Sequence, residues 1–186
     1  MSKTALIPIA DGTEELEAVT IIDVLRRAGV EVTVASVAAA LQVTASRKVN
    51  LVADCLIGDC QNNTFDLIAL PGGLPGAEYL RDCGPLVKML QSQKQAGRLY
   101  AAVCASPAVA LAPHGLLDDK KATCYPSCQD QLPNASQADK RVVVDGNCIT
   151  SQGPGTALDF ALELVRQLID EDTARQVAEA MLTVYK

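Results

Sequence analysis

Leu99-Tyr100-Ala101-Ala102-Val103-Cys104-Ala105-Ser106-Pro107-Ala108-Val109-Ala110-Leu111-Ala112 reads as a short apolar strand running straight into an alanine-rich helix, with one cysteine at the join. No glycine cushions that join, so the turn must be tight and Cys104 should stand at its apex. A thiol there meets the unpaired N–H groups and the positive end of the following helix, which favour an anion. A pKa lowered from about 8.5 to about 5 would make nearly all of it thiolate at neutral pH. The strand–nucleophile–helix elbow of hydrolases has this geometry, although the G-x-S-x-G form is absent. The other reading of Cys104 is a small buried apolar side chain, the common fate of a free cysteine.

The 186 residues suffice for one well-buried core and suggest a single domain over 1–186. Apolar residues make up 49% of the chain, with six aromatic residues and no Trp, which suits a doubly wound α/β domain with a mainly parallel sheet. A net charge of −6 without a basic patch disfavours nucleic acid and anionic membrane as partners. The chain enters an apolar run at Thr4 without a basic leader or cleavage site, and no apolar run reaches membrane-spanning length. A cytoplasmic protein is expected.

Seven cysteines, Cys55, Cys60, Cys83, Cys104, Cys124, Cys128 and Cys148, are scattered, odd in number and without a C-x-x-C. With a single histidine in the chain, they argue against a metal site and against a disulfide framework.

From the amino end, Thr4–Ala10 is expected as the first strand and 14–28 as a helix, capped by Asp11 or Thr13. On that helix Leu16, Val19, Ile22 and Leu25 form one apolar row, and Glu17, Ile21, Val24 and Ala28 a second; Thr20, Asp23 and Arg27 mark the wet side. Glu17 thus heads a row that otherwise faces inward. A carboxyl carried inside finds a partner or keeps its proton; the alternative is a solvated first-turn acid like Glu14 and Glu15.

Strands are expected at 30–37 and 65–70, with a small hairpin or edge strands at 41–45 and 49–53. Pro71-Gly72-Gly73 follows the buried strand at the end where open α/β sheets bind ligands, and its glycines let backbone N–H groups approach closely. A helix at 85–97, the elbow helix to Ala112 and a strand at 122–125 come next. A hairpin over 141–151 and helices at 157–169 and 171–185 complete the chain. Gly153-Pro154-Gly155-Thr156 lacks the Lys-Ser/Thr of a phosphate loop.

Five stretches together carry a resemblance: 10–17 (ADGTEELE), 23–29 (DVLRRAG), 70–73 (LPGG) with Gly76-Ala77, 102–107 (AVCASP) and 150–156 (TSQGPGT). In this order and spacing the chain resembles the ThiJ/PfpI superfamily, in the branch of the Parkinsonism-associated deglycase and YajL. The resemblance implies a flavodoxin-like sandwich, a homodimer and no cofactor. It implies that Cys104 is the nucleophile and that Glu17 is a buried, protonated acid hydrogen-bonded to its sulfur. It aligns the Gly73 and Ala105 amides with an oxyanion-binding pair, and Arg27 and Arg47 with arginines near the dimer interface and pocket mouth. Tyr125 stands where that branch has a pocket histidine and is expected among the substrate-binding residues, and Ala105 stands where peptidase members have a histidine. The sole histidine, His114, is expected about 15 Å along the helix from Cys104, too far for a triad.

Two activities follow as expectations. One is cofactor-free conversion of methylglyoxal or glyoxal to a hydroxy acid, with deglycation of protein adducts by the same addition. The other is redox sensing or chaperoning through oxidation of Cys104, with Cys124 or Cys128 able to resolve a sulfenate.

Overall fold

The computed structural model describes residues 2–185. Strand β1 (Thr4–Ile9) leads to helix α1 (Glu15–Arg27) and strand β2 (Glu31–Ser36). A two-stranded antiparallel hairpin, β3 (Gln42–Thr44) and β4 (Asn50–Val52), follows outside the main sheet. The chain rejoins the sheet at the two-residue β5 (Cys55–Leu56) and turns through the single-turn α2 (Ile57–Cys60) into β6 (Leu67–Leu70). Then come α3 (Gly76–Asp82), α4 (Gly84–Gln95), β7 (Leu99–Val103), β8 (Val142–Asp145), β9 (Cys148–Ser151), α5 (Ala157–Leu168) and α6 (Glu171–Ala180). The sheet order is β5-β2-β1-β6-β7-β9-β8, parallel throughout except for β8 at one edge.

Strands buried on both faces explain the continuous apolar runs. Ala5, Ile7 and Ile9 of β1, Leu67 and Ala69 of β6, and Ala101 and Val103 of β7 join the core beneath α1 and α5. The residues between them, Leu6, Ile68, Leu70, Tyr100 and Ala102, join the core on the opposite face. This is the period of two that a pleated strand imposes. Each fully buried Leu or Ile side chain contributes roughly 1.5–3 kcal/mol.

On α1 the inner face is Glu17, Ala18, Ile21, Val24 and Leu25. Leu16 and Val19 of the other apolar row are about half exposed, so that row does not face the core as a whole. Neither expected residue caps the helix: Asp11 accepts from the Thr44 amide and the Thr13 hydroxyl from the Ala10 amide. Both side chains tie down the β1–α1 loop instead.

The helix expected after Cys104 is not an α-helix. A single π turn (Pro107–Leu111) passes into a 3₁₀ turn (Ala112–His114). Pro113 has no N–H to continue an α ladder, and the Ala112 amide reaches five residues back to the Pro107 carbonyl. Residues 122–125 form no strand, because the Thr123 amide goes to the Thr150 hydroxyl and the Tyr125 amide to the Cys104 carbonyl. The last helix stops at Ala180. Among the described residues no helix is long and apolar enough to cross a membrane.

Candidate active site

The carboxyl ends of β1, β6 and β7 meet at the middle of the sheet, and the loops beyond them interlock. Gly72 accepts at its carbonyl from the Glu14 amide (2.9 Å), and the buried Ser106 hydroxyl donates to the Pro71 carbonyl (2.6 Å). These two bonds lock the Pro-Gly-Gly turn to the start of α1 and to the elbow.

Cys104 follows β7 directly with φ of +64°, a left-handed conformation rare outside glycine. The conformation is held from both sides. Its amide donates to the Ser151 carbonyl (3.0 Å), and its carbonyl accepts from the Tyr125 amide (2.7 Å). The turn is as tight as the missing glycine predicts, and only 9% of the residue is exposed.

Glu17 is fully buried on the first turns of α1, with its carboxyl in range of the Cys104 thiol. Oε2 accepts from the Gly72 amide at 2.7 Å, while Oε1 has no hydrogen-bond partner among the described residues. Burial raises the Glu17 pKa to about 7, against the Gly72 amide and the thiol, which lower it. Of the two readings of Glu17, the structure selects the buried one.

The Cys104 thiol departs from expectation. Burial, then the Glu17 charge, push its pKa up to about 12, while the Gly73 and Ala105 amides pull it down. The short irregular turn after Cys104 supplies less dipole than a full helix. Two acids this close share one negative charge: the pair loses its first proton near pH 7 and holds its second far above.

The structure brings Cys104, Glu17, Gly73 and Ala105 together. Gly73 sits at φ +90°, and a Cβ there would collide with backbone of Gly12 and Glu14. Tyr125 lies at the rim, with its ring beside Gly153 and its amide on Cys104. Arg27 is on the exposed side of α1 in an ion pair with Asp23 (2.7 Å). Arg47 lies in the hairpin turn, where its amide donates to Glu15. His114 is engaged elsewhere, its Nε2 2.8 Å from the Arg81 carbonyl. Among the described residues no group of three or more His, Cys, Asp or Glu is placed to hold a metal.

Sequence reasoning placed Gly72 in a ligand-side turn but did not seat it between Cys104 and Glu17, and it gave Ser106 no role of its own. A Cβ on Gly72 would stand 2.5 Å from Cys104 Cβ and 2.9 Å from Glu17 Oε2. The doubled glycine after a buried strand was the available signal; Ser106 gave none beyond its place beside Cys104.

Residues 3–167 match the DJ-1/PfpI family. The chain belongs to the DJ-1/PfpI family. Protein DJ-1 homolog B of Arabidopsis thaliana is 51% identical over 95% of this chain and 40% of its own length. The chain spans less than half the length of this relative and of its companion, homolog A. A Caenorhabditis elegans relative, glutathione-independent glyoxalase DJR-1.2, is 37% identical over 89% of both chains. The solved structure of oxidised Toxoplasma gondii DJ-1 superposes with a TM-score of 0.96 at 47% identity, over 99% of this chain and 100% of that one. The DJ-1/PfpI fold, with its mostly parallel central sheet, is therefore shared along nearly the whole chain.

Proposed function

We propose that this protein is a cofactor-independent, cysteine-dependent enzyme that converts α-oxoaldehydes such as methylglyoxal to hydroxy acids, and that it acts on early glycation adducts by the same addition. The observation that carries this reading is the fully buried Glu17 carboxyl beside Cys104: a Cβ on Gly72 would stand 2.9 Å from Glu17 Oε2 and 2.5 Å from Cys104 Cβ, and burial raises the carboxyl's pKa to about 7. Such a carboxyl can both take and return a proton at neutral pH. The name of the Caenorhabditis elegans relative points the same way.

In this reaction Cys104 passes its proton to Glu17 as the sulfur adds to the aldehyde carbon. The carbonyl electrons move to oxygen, and Glu17 returns its proton to that oxygen, which completes a hemithioacetal and leaves Glu17 a carboxylate again. The Gly73 and Ala105 amides support the negative charge, first on sulfur and then on oxygen. Glu17 next removes the proton from the carbon bearing sulfur while the neighbouring carbonyl oxygen takes one, giving an enediol. Glu17 then delivers its proton to that neighbouring carbon as the hydroxyl beside sulfur loses its own, which leaves the thioester of a 2-hydroxy acid. Water cleaves it, releasing lactate and restoring the thiol. Tyr125 fills the place of the histidine at the rim, and the reaction needs neither it nor His114 as a proton carrier.

Lactate formation from methylglyoxal in thiol-free buffer, with wild type and Cys104→Ala in parallel, tests the reading. Lactate from wild type alone supports it; none from either protein refutes it. A second reading, redox sensing at Cys104, draws on the Toxoplasma gondii relative, whose structure is of an oxidised form. Its mark is oxygen added to Cys104 by mild peroxide, seen by mass spectrometry.

The proposal takes residues 1–186 as one domain of a cytoplasmic homodimer. Half-exposed Leu16 and Val19 on α1, and exposed Val49 and Val52 at the hairpin, supply apolar surface for a second copy. Ser46 joins the hairpin to α1 through Glu14 and Glu15. All seven cysteines are free thiols.

A further inference from the structure

Cys55 and Cys60 lie outside the site around Cys104. Cys55 opens β5 at the sheet edge, in register with Ala35 of β2. The chain then turns at Leu56 into α2, whose last residue is Cys60. This strand-to-helix corner folds five residues of chain back on themselves. Cys55 packs against the apolar cluster that contains Cys60, and the two residues stand five positions apart on either side of one strand-to-helix corner. Their accessibility differs: Cys60 is buried, and Cys55 is partly exposed. The Cys60 thiol also donates weakly to the Ile57 carbonyl (3.5 Å), which holds its sulfur in the corner.

We propose that Cys55 and Cys60 are a dithiol that peroxide oxidises to an intrachain disulfide, forming a second thiol centre independent of Cys104. Cys55, the reachable thiol, attacks the O–O bond of hydrogen peroxide. It gains a hydroxyl as a sulfenic acid, and the other oxygen leaves as water. The Cys60 sulfur then attacks the Cys55 sulfur; the S–S bond forms, the S–O bond breaks, and the departing hydroxide takes the Cys60 proton to become the second water. Two thiols have lost two electrons and two protons, and one peroxide has become two waters.

The order of events follows from the surroundings. Burial, then the neighbouring Cys55, push the Cys60 pKa up to about 12, so Cys60 is a poor first target and serves as the resolving partner. The ring closed by this disulfide is short, so it constrains the unfolded chain little. It therefore records exposure to oxidant more than it braces the fold.

The test uses the full chain, as wild type and as Cys104→Ser. Each is treated with an equimolar amount of hydrogen peroxide, unfolded with N-ethylmaleimide to cap remaining thiols, and digested with trypsin without reductant. Cleavage after Lys48 and Arg81 releases a peptide whose only cysteines are Cys55 and Cys60. In both proteins this peptide should appear about 2 Da lighter and uncapped, and should take two maleimides after reduction. Cys55→Ser should lose the light peptide; fragmentation of the wild-type peptide identifies the linkage without any variant. A peptide carrying two maleimides while other cysteines have oxidised overturns the proposal, and so does oxygen added to Cys55 without a link.

Discussion

Glu17 holds its proton more tightly in the folded protein than in the unfolded chain. Its pKa rises from 4.5 to about 7, so between those values the folded state binds the extra proton. Stability must then fall as pH rises through this window, by on the order of 3 kcal/mol once Glu17 is ionised in both states. Glu17→Gln should flatten that part of a urea-unfolding profile recorded from pH 4 to 8. Activity should run the opposite way. The competent pair holds one proton wherever that proton sits, so kcat/KM for methylglyoxal should rise with pH through about 7. In Glu17→Gln the inflection should vanish and turnover drop by roughly 10²–10⁴-fold. Cys104 at the apex was legible from the apolar strand meeting an alanine-rich segment with no glycine between. Its acidity was not, because that depends on burial and on a carboxyl eighty-odd positions upstream, which only the assembled sheet brings near.

The three loops at the strand ends act as one element. Gly72 is the point where they touch most closely, and a methyl group there must displace Cys104 or Glu17. Gly72→Ala should keep its far-UV spectrum and lose on the order of 100-fold in kcat/KM, the scale of a misplacement near 1 Å. Ser106→Ala removes a buried donor from the Pro71 carbonyl and should lower unfolding stability by about 1–3 kcal/mol. Strands β1, β6 and β7 were legible because burial on both faces writes a continuous apolar run. Helix α1 was legible as a helix, yet with two apolar rows its inner face could be chosen only once α5 packed against it. The extended segment at 122–125 misled for a related reason: its residues suit a strand, but the elbow and Thr150 had already claimed its amides.

For the whole molecule, α1 and the hairpin present apolar side chains to solvent on elements already bonded to each other. Wild type should sediment as two chains, and Leu16→Glu or Val52→Asp as one with an unchanged far-UV spectrum. The order of strands was not readable from the chain, since the crossovers that set it leave no local mark. That order keeps the six-residue β1 and β2 and the five-residue β7 inside the sheet and leaves two residues of β5 and four of antiparallel β8 at the rims. A foreign strand arriving at the β5 rim finds almost no ladder to extend. In a concentrated solution, growth of this sheet from one molecule into the next is therefore starved of a template at that side, whatever the oxidation state of its thiols.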